Sequence, residues 1–229
     1  MDVSGQYRHE LKYEIDYAAY LPLRQRLRSV MNPDRHVGAD GKYRIRSIYF
    51  DNLNDKALRE KIDGAAKREK FRIRYYNDDF SYIMLEKKMK DGNLCMKIDA
   101  PLTKKEYDAL LAGEILWMAC HPSPLIREMY AKMKYQLLRP RVMVSYLREP
   151  YIYRAGNVRI TFDSDIRTSL YHQNFLEERH DIRATDAPQT IILEVKYDSF
   201  LPAVIAHLIQ SEGVRQQAFS KYAACRRFG

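Results

Sequence analysis

The sequence contains few cysteines, and their arrangement suggests no disulfide framework. Cys95, Cys120 and Cys225 are the only three in 229 residues, and no C-x-x-C pair occurs. This pattern excludes a small disulfide-stabilised fold and argues against a structural zinc site. The six histidines show no H-x-x-x-H spacing, and neither a P-loop nor a G-x-G-x-x-G motif is present. The common sequence signatures of zinc and nucleotide sites are therefore missing.

Long apolar runs are also missing. No run approaches the roughly 20 residues needed to span a bilayer, and the N-terminal residues show no signal-peptide pattern. We therefore expect a soluble cytoplasmic protein. The apolar fraction of 46% suffices for a sizeable core and excludes a disordered chain. Nothing in the composition forces a split, so we predict one domain over residues 1–229, with the oligomeric state left open.

Positive charge exceeds negative charge, with 39 Lys and Arg against 30 Asp and Glu. A net charge of +9 favours an anionic partner: nucleic acid, anionic lipid or a phosphorylated small molecule. The basic residues are spread singly through strand-like segments, which favours a structured internal site over a charged tail. Tyrosine is abundant, as in some RNA-binding proteins, but carboxylates recur between the basic residues and would repel a nucleic acid. We expect no nucleic-acid partner.

Four runs alternate charged residues with large apolar residues, at 70–75, 83–88, 158–163 and 192–197. Because side chains on a strand alternate between its two faces, each run predicts a strand with one apolar and one charged face. One interpretation puts the apolar face in a core and the charged face in water. The other turns the charged faces inward around a shared lumen. Amphipathic helices that need an apolar sheet face to cover favour this second interpretation.

The order of the predicted elements favours an α+β protein. Turns are predicted at Asp78-Asp79 and Asp91-Gly92, and residues 167–188 predict a loop or lid. Asp16 is a candidate N-cap, and Thr103 begins a capping box. Strands are predicted at 7–15, 43–51, 67–77, 80–90, 94–100, 141–151, 158–163 and 190–198, and helices at 16–31, 54–62, 103–113, 125–138, 202–211 and from 220 onward. About eight strands can close on themselves, so we predict an antiparallel closed β-barrel tunnel with helices packed outside.

Closely spaced basic and acidic residues on these strands suggest a site for phosphates and a metal ion. Arg72 and Arg74 project from one face about 6–7 Å apart, and guanidinium groups bind phosphate oxygens bidentately. The pattern Glu-x-Lys occurs at Glu10, Glu86 and Glu194, each time in a predicted strand. Lys and Arg would bind phosphate oxygens, while a carboxylate would coordinate Mn²⁺ or Mg²⁺.

Several motifs resemble the catalytic domain of VTC-type polyphosphate polymerases. This family belongs to the triphosphate tunnel metalloenzymes, also called CYTH-like proteins, and the resemblance extends over about residues 5–228. The motifs are Lys12-Tyr13, SIYFD at 47–51, Arg72-x-Arg74-Tyr75-Tyr76, Glu86-Lys87-Lys88, Leu138-Arg139-Pro140 with Arg148 downstream, VRITFD at 158–163, ILEVK at 192–196 and FSKY at 219–222.

The resemblance implies an eight-stranded tunnel in which the γ-phosphate of ATP is transferred to a growing polyphosphate chain with the help of Mn²⁺ or Mg²⁺. Glu194 matches the family's metal-binding carboxylate, and Glu86 is the second metal candidate. The residues expected to bind and act on the phosphates are Lys12, Arg72, Arg74, Lys88, Arg148 and Arg159 as catalytic residues, and Glu10, Lys196, Ser220 and Lys221 as substrate-binding residues.

One departure from the superfamily pattern bears on the reaction. The hydrolase branch opens with Glu-x-Glu-x-Lys, whereas Arg8-x-Glu10-x-Lys12 keeps only the second glutamate. A hydrolase must orient or deprotonate water, a task suited to a carboxylate, so the arginine favours a polymerase. Two alternatives stay open: an inorganic triphosphatase or nucleoside triphosphatase in the same tunnel, and a non-catalytic module that binds polyphosphate or phosphoinositide. The sequence shows neither the inositol-phosphate-sensing domain nor the membrane spans of the eukaryotic polymerases, which leaves regulation and export open.

Overall fold

A closed ring of eight antiparallel strands dominates the computed structural model, which describes residues 7–169, 181–185, 190–210, 215–217 and 219–228. The strands are β1 (Arg8–Ile15), β2 (Asn32–Pro33), β3 (Tyr43–Asp51), β4 (Lys67–Tyr76), β5 (Asp79–Asp91), β6 (Leu94–Leu102), β7 (Arg139–Tyr153), β8 (Val158–Ser169), β9 (Asp181–Arg183), β10 (Ile191–Tyr197) and β11 (Arg215–Gln216). The α-helices are α1 (Tyr17–Val30), α2 (Lys56–Ile62), α3 (Lys104–Leu111), α4 (Pro124–Tyr135), α5 (Ala203–Ile209) and α6 (Lys221–Cys225).

The ring runs in the order β7-β3-β4-β5-β6-β1-β10-β8, and β8 pairs with β7 to close it. The short strands β2, β9 and β11 add to β7, β8 and β1. Closure leaves no exposed edge among the eight ring strands. The prediction of an antiparallel ring of about eight strands with helices packed outside is confirmed.

Local sequence signals explain where several elements begin and end. The Asp16 carboxylate accepts a hydrogen bond from the Ala19 amide at the start of α1, and Thr103 forms the predicted capping box with Glu106. The β4–β5 turn lies at Asn77 and Asp78, whose φ angles of 48° and 58° are those of a type I′ turn. It therefore falls one residue before the predicted Asp78-Asp79 position.

The prediction of a loop over residues 167–188 is wrong for residues 167–169 and 181–183, which belong to strands. Strand β8 continues to Ser169, and Arg167 pairs with Arg183 of β9. The physical reason is continued alternation, since Ile166 and Thr168 are buried while Asp165 and Arg167 are partly exposed. The polar composition of this segment hid the pattern. Residues 170–180 and 186–189 of the predicted lid lie outside the described residues.

The outer face of the ring is apolar and is covered by the helices. One cluster packs Ile73 and Leu85 of the sheet against Ile126 of α4, under α3, α4 and the short 3₁₀ segment Leu116–Cys120. A second cluster packs Val195 against Leu27 of α1, with α5 alongside. No helix within the described ranges is long and apolar enough to cross a bilayer.

A third cluster lies on the inner face of the ring, and we call it the apolar interior. Ile45 of β3 shares its face with Ser47 and Tyr49, because alternate residues of a strand point to the same side. Helix α6 closes this cluster. Its members are Tyr43, Ile45, Tyr49, Ala57, Val142, Val144, Tyr146, Ile166, Ala184, Ile192, Tyr222 and Cys225. Charged side chains occupy another part of the same inner face.

Candidate functional site

A cavity of about 370 Å³ lies inside the ring, and we call it the cationic cavity. Eleven of its described lining residues are basic and two, Glu10 and Glu194, are acidic. The basic residues are Lys12, Lys61, Arg68, Lys70, Arg72, Arg74, Lys88, Lys90, Arg148, Lys196 and Lys221. Such an excess of positive charge around one cavity favours a polyanionic ligand.

Glu194 of β10 lies among four cations. Its carboxylate accepts a hydrogen bond from Lys221 Nζ at 2.7 Å, and Lys12 Nζ lies 3.3 Å away. Arg148 and Lys196 each approach it to 3.4 Å. Burial alone would raise the pKa of the Glu194 carboxyl, but these cations hold it well below its usual range. Glu194 is therefore an ionised carboxylate inside the protein.

Asp163 of β8 forms a second anionic centre behind Glu194. Arg148 binds its two oxygens at 2.6 and 2.7 Å, and Lys221 Nζ lies 2.6 Å from Oδ2. Asp163 is fully buried. Burial raises the pKa of its carboxyl, but Arg148 and Lys221 outweigh that effect and lower it. Asp163 thus positions two cations that also contact Glu194.

Glu10 of β1 links the two sides of the cavity. It accepts hydrogen bonds from Lys88 Nζ at 2.8 and 2.9 Å, and Lys196 lies 3.4 Å away. Burial would raise the pKa of Glu10, yet Lys12, Lys88 and Lys196 lower it well below the ordinary value. Burial also lowers the pKa of the Lys196 ammonium, to about 8, although Glu194 and Glu10 oppose the change.

Two arginines from β4 form the opposite wall. Arg72 donates to Glu86 at 2.7 Å and to the Tyr49 hydroxyl at 2.7 Å. Arg74 lies 3.4 Å from the Ser47 hydroxyl and 3.7 Å from Glu86. Arg74 is therefore held by longer contacts than Arg72.

The start of α6 inserts Lys221 into the cavity. The Ser220 hydroxyl caps the helix by accepting from the Ala223 amide, and the Tyr222 hydroxyl donates to Asp51 at 2.6 Å. The other Asp51 oxygen accepts from the Ala57 amide at the start of α2. These contacts fix α6 against the wall of the ring, so Lys221 reaches both Asp163 and Glu194.

Most of the predicted site residues meet in this cavity. Those that line it are Glu10, Lys12, Arg72, Arg74, Lys88, Arg148, Glu194, Lys196, Ser220 and Lys221. Two others are not among its described lining residues. Arg159 shares the inner face, but its guanidinium contacts Asp34 at 2.8 Å and the Tyr43 hydroxyl at 2.9 Å. Glu86 is 2% exposed and lies behind Arg72.

Sequence reasoning did not single out Asp163 or the tyrosines as site residues. Asp163 ends the VRITFD motif, so the motif was a signal for it. Tyr49, Tyr146 and Tyr222 separate the cationic cavity from the apolar interior, and each contributes to both. Burial would raise the pKa of the Tyr49 phenol, but Arg72 and Arg74 lower it.

The carboxylates of the cavity suit a hard divalent cation that is bound at the same time as the phosphates of a substrate. The described residues contain no cluster of three or more His, Cys, Asp or Glu side chains suited to a metal. Glu10 and Glu194 nevertheless face one cavity, and Lys12 and Lys196 approach both carboxylates. Mg²⁺ and similar ions are often bound by one or two carboxylates, with water and substrate phosphates completing the shell. Glu86 fits this role less well because Arg72, Arg74 and Lys97 surround its oxygens.

Comparison with protein-family models gives a match over nearly the whole chain. The model of the VTC domain matches residues 7–228. The chain belongs to the VTC domain family. This result confirms the resemblance drawn from the motifs.

Two solved structures are similar in fold to this VTC-domain protein. A candidate adenylyl cyclase from Hippeastrum, described as having a dominant triphosphatase activity, has a TM-score of 0.55 at 12% identity, covering 97% of this chain and 95% of that chain. A candidate adenylate cyclase from Bacillus halodurans has a TM-score of 0.50 at 15% identity, covering 85% of this chain and 82% of that chain. At these identities the likeness shows the fold alone. No curated protein matches the chain.

Proposed function

We propose that this VTC-domain protein is a metal-dependent polyphosphate polymerase that uses ATP. The observation that carries the proposal is the cationic cavity, in which eleven basic side chains surround two ionised carboxylates. Phosphoryl transfer needs mainly positioning and charge stabilisation, which fixed cations around one cavity supply. The implied substrates are ATP and polyphosphate.

Carboxylates hold two of the ammonium groups that line the cavity, and this pairing suggests how phosphate enters. Lys88 is held by Glu10, and Lys221 is held by Glu194 and Asp163. Phosphate oxygens would replace the carboxylates as partners of these ammonium groups. The exchange would leave oxygens of Glu10 and Glu194 available for a metal ion, and Lys88 and Lys221 would keep an anionic partner.

In the reaction we propose, a terminal oxygen of the polyphosphate chain attacks the γ-phosphorus of ATP. The bond from the γ-phosphorus to the β,γ-bridging oxygen breaks, ADP leaves, and the chain is one phosphate longer. Arg72, Arg74 and Arg148 would bind the equatorial phosphate oxygens, and Lys12 would bind the leaving phosphate. Mn²⁺ or Mg²⁺, when bound, would neutralise charge on the phosphate oxygens, with Glu194 and Glu10 as the side chains that hold it.

The surroundings of Arg8 favour a phosphate nucleophile over water. Arg8 occupies the position of the first glutamate in the hydrolase pattern, and its Nε lies 2.7 Å from Asp198. An arginine is always protonated, so it supplies neither the base nor the metal ligand that a glutamate would, and Arg8 is not among the described lining residues of the cavity. A triphosphatase is the second candidate, because the similar Hippeastrum protein is described with that activity.

The test is incubation of the protein with ATP and Mn²⁺, followed by gel electrophoresis and assay of free phosphate. A ladder of long chains together with ADP supports the polymerase. Release of free phosphate without chains identifies a hydrolase, and binding without turnover identifies a non-catalytic module; either result contradicts the proposal.

Glu194→Gln tests the metal assignment in the same assay. The substitution removes a charge but little volume, so we expect turnover to fall by roughly 10²–10³-fold, as when one preorganised electrostatic contact is lost. Binding of tripolyphosphate without metal should be retained, since the cations remain. Glu114→Gln, on the exposed surface, is the matched control and should be fully active. Near-normal turnover of Glu194→Gln would remove Glu194 from the metal site.

A further inference from the structure

Like charges face each other across one part of the β4–β5 hairpin. Arg72 pairs with Glu86, an opposite-charge pair. The next two pairs on the same face are Lys70 with Lys88 and Arg68 with Lys90, and both combine like charges. Like charges directly opposite on neighbouring strands destabilise a sheet. The fold therefore tolerates two successive unfavourable pairs on the wall of the cavity.

Lys70 also differs from Lys88 in its partners. Lys88 donates to Glu10, whereas Lys70 makes no hydrogen bond or ion pair with any residue that the structure describes. The contact of its ammonium is with the face of the Tyr222 ring, 4.6 Å from the centroid. Tyr222 thus gives Lys70 a cation–π partner but no counter-charge.

Basic residues follow one another along the inner face of β4. Arg68, Lys70, Arg72 and Arg74 stand at every second position, and all four line the cavity. At about 3.3 Å per residue the row is roughly 20 Å long. A row of this length suits a linear polyanion with several phosphates better than it suits one small anion.

We propose that Lys70, Arg68 and Lys90 form an outer anion subsite, which binds a phosphate group of a chain whose other phosphates lie beside Arg72 and Glu194. The inference rests on the proposed function, because both take a chain of phosphates as the substrate. These three cations have no carboxylate partner within the described residues, and they would bind the end of the phosphate chain that is distant from the reacting phosphates. The inner centre, with Glu10, Glu194 and Asp163, binds the reacting phosphates.

Binding at the outer subsite takes up a proton. Burial, together with repulsion from Arg68, Lys12, Lys88 and Lys61, lowers the pKa of the Lys70 ammonium to about 7. These groups face Lys70 from β4, β1, β5 and α2, and Tyr222 faces it from α6. An adjacent phosphate favours the charged form and raises the pKa again. At pH 8 Lys70 is largely deprotonated without a ligand, so binding of the phosphate chain takes up a proton from solution.

Calorimetric titration without metal tests both parts of the inference. Tripolyphosphate and a long linear polyphosphate are titrated at pH 8 in two buffers of different ionisation enthalpy, which gives the number of protons taken up. The variants are Lys70→Arg, whose guanidinium stays charged, and Lys70→Met. Lys105→Met, at an exposed position of α3, is the charge-matched control.

We expect the wild type to take up more protons with the long chain than Lys70→Arg, by a difference approaching one. Lys196 titrates in the same range, but it is present in every variant, so its contribution cancels. Lys70→Met should bind the long chain roughly tenfold or more weakly, as for loss of a charge-assisted contact. Its affinity for tripolyphosphate, which the inner centre can hold alone, should fall less. Lys105→Met should match the wild type.

Equal proton uptake by wild type and Lys70→Arg would overturn the proton linkage, and unchanged long-chain affinity in Lys70→Met would overturn the subsite. Both results are compatible with a polymerase, whose failure is seen separately in the ATP assay. Failure of the wild type to bind either phosphate chain would overturn the subsite together with the proposed function.

Discussion

On two strands, residues of the same inner face meet opposite surroundings. Ile192 of β10 is packed in the apolar interior, and Glu194, two residues on, lies among four cations. Val144 and Arg148 of β7 differ in the same way. On β3, Ile45 packs in the apolar interior, and Tyr49 of the same face also lines the cationic cavity. The apolar interior and the cationic cavity are thus built from the same strands.

The two regions differ in what fills them. Helix α6 places Tyr222 and Cys225 over the apolar interior, where the gain comes from burial of hydrocarbon. The cationic cavity keeps space, and its ion pairs gain little net stability because desolvation offsets their attraction. We infer that the apolar interior stabilises the fold, whereas the charges are retained for a ligand.

Asp163→Ala should produce the largest change in stability. It tests the contribution of the charged residues to the fold. Removing one partner of a buried ion pair costs roughly 3–5 kcal/mol, here because Arg148 and Lys221 lose their main counter-charge. We expect the free energy of unfolding, measured with denaturant, to fall by that amount. Asp108→Ala, which breaks an exposed pair with Lys104, should cost less than about 1 kcal/mol.

A phosphate ligand should partly reverse the Asp163→Ala effect. Saturating tripolyphosphate should stabilise this variant by more than it stabilises the wild type, because the anion replaces the lost counter-charge. An equal increment in both proteins would mean that the two cations do not face the ligand.

Ile45→Ala should produce the second-largest change in stability. It tests the contribution of the apolar interior to the fold. Ile45 is fully buried in the apolar interior, and truncation of such a residue typically costs about 2–5 kcal/mol. Tripolyphosphate should stabilise this variant by the same increment as the wild type, since no charge is changed. Leu116→Ala, at a position that is 80% exposed, should have little effect. A ligand increment that differs from the wild type would show that the two regions are not independent.

The alternation of residues was enough to predict much of this arrangement. It assigned Arg72 with Arg74 and Glu194 with Lys196 to one face, and the ring turns that face inward. Alternation does not say how far along the strand the cavity extends. Arg159 has the correct face but lies where Asp34, which is remote in sequence, binds it. Its predicted role remains a prediction, without support from the lining of the cavity.

The sequence did not show which residues would pair with each charged side chain of the site. Glu86 is held by Arg72 because of the β4–β5 register, and Asp163 meets Lys221 only because α6 packs against the ring. The like-charge pairs behind the outer subsite depend on the same register. Such contacts join residues that are distant along the chain, so periodicity within one strand carries no information about them.

Lys70→Met should give the smallest effect, an increase in stability, and it tests whether a cation without a carboxylate partner destabilises the cavity. The pKa of Lys70 is lowered to about 7 in the folded protein, whereas an unfolded lysine has a pKa near 10.4. Below pH 7 the ammonium is charged in both states, and the folded protein bears the full cost of burying the charge and of repulsion from the neighbouring cations. Between about pH 7 and 10 the unfolded chain binds more protons, so the cost declines as the pH rises.

Denaturation of the ligand-free protein across pH 6 to 10 measures this effect. Lys70→Met should be more stable than wild type by about 1 kcal/mol at the acid end, a modest value because solvent screens charges in an open cavity. The advantage should shrink as the pH rises toward 10. Lys105→Met should show no such trend. A Lys70→Met variant that loses stability at every pH would mean that the empty site already supplies Lys70 with a counter-charge, and the outer subsite would then lack its physical basis.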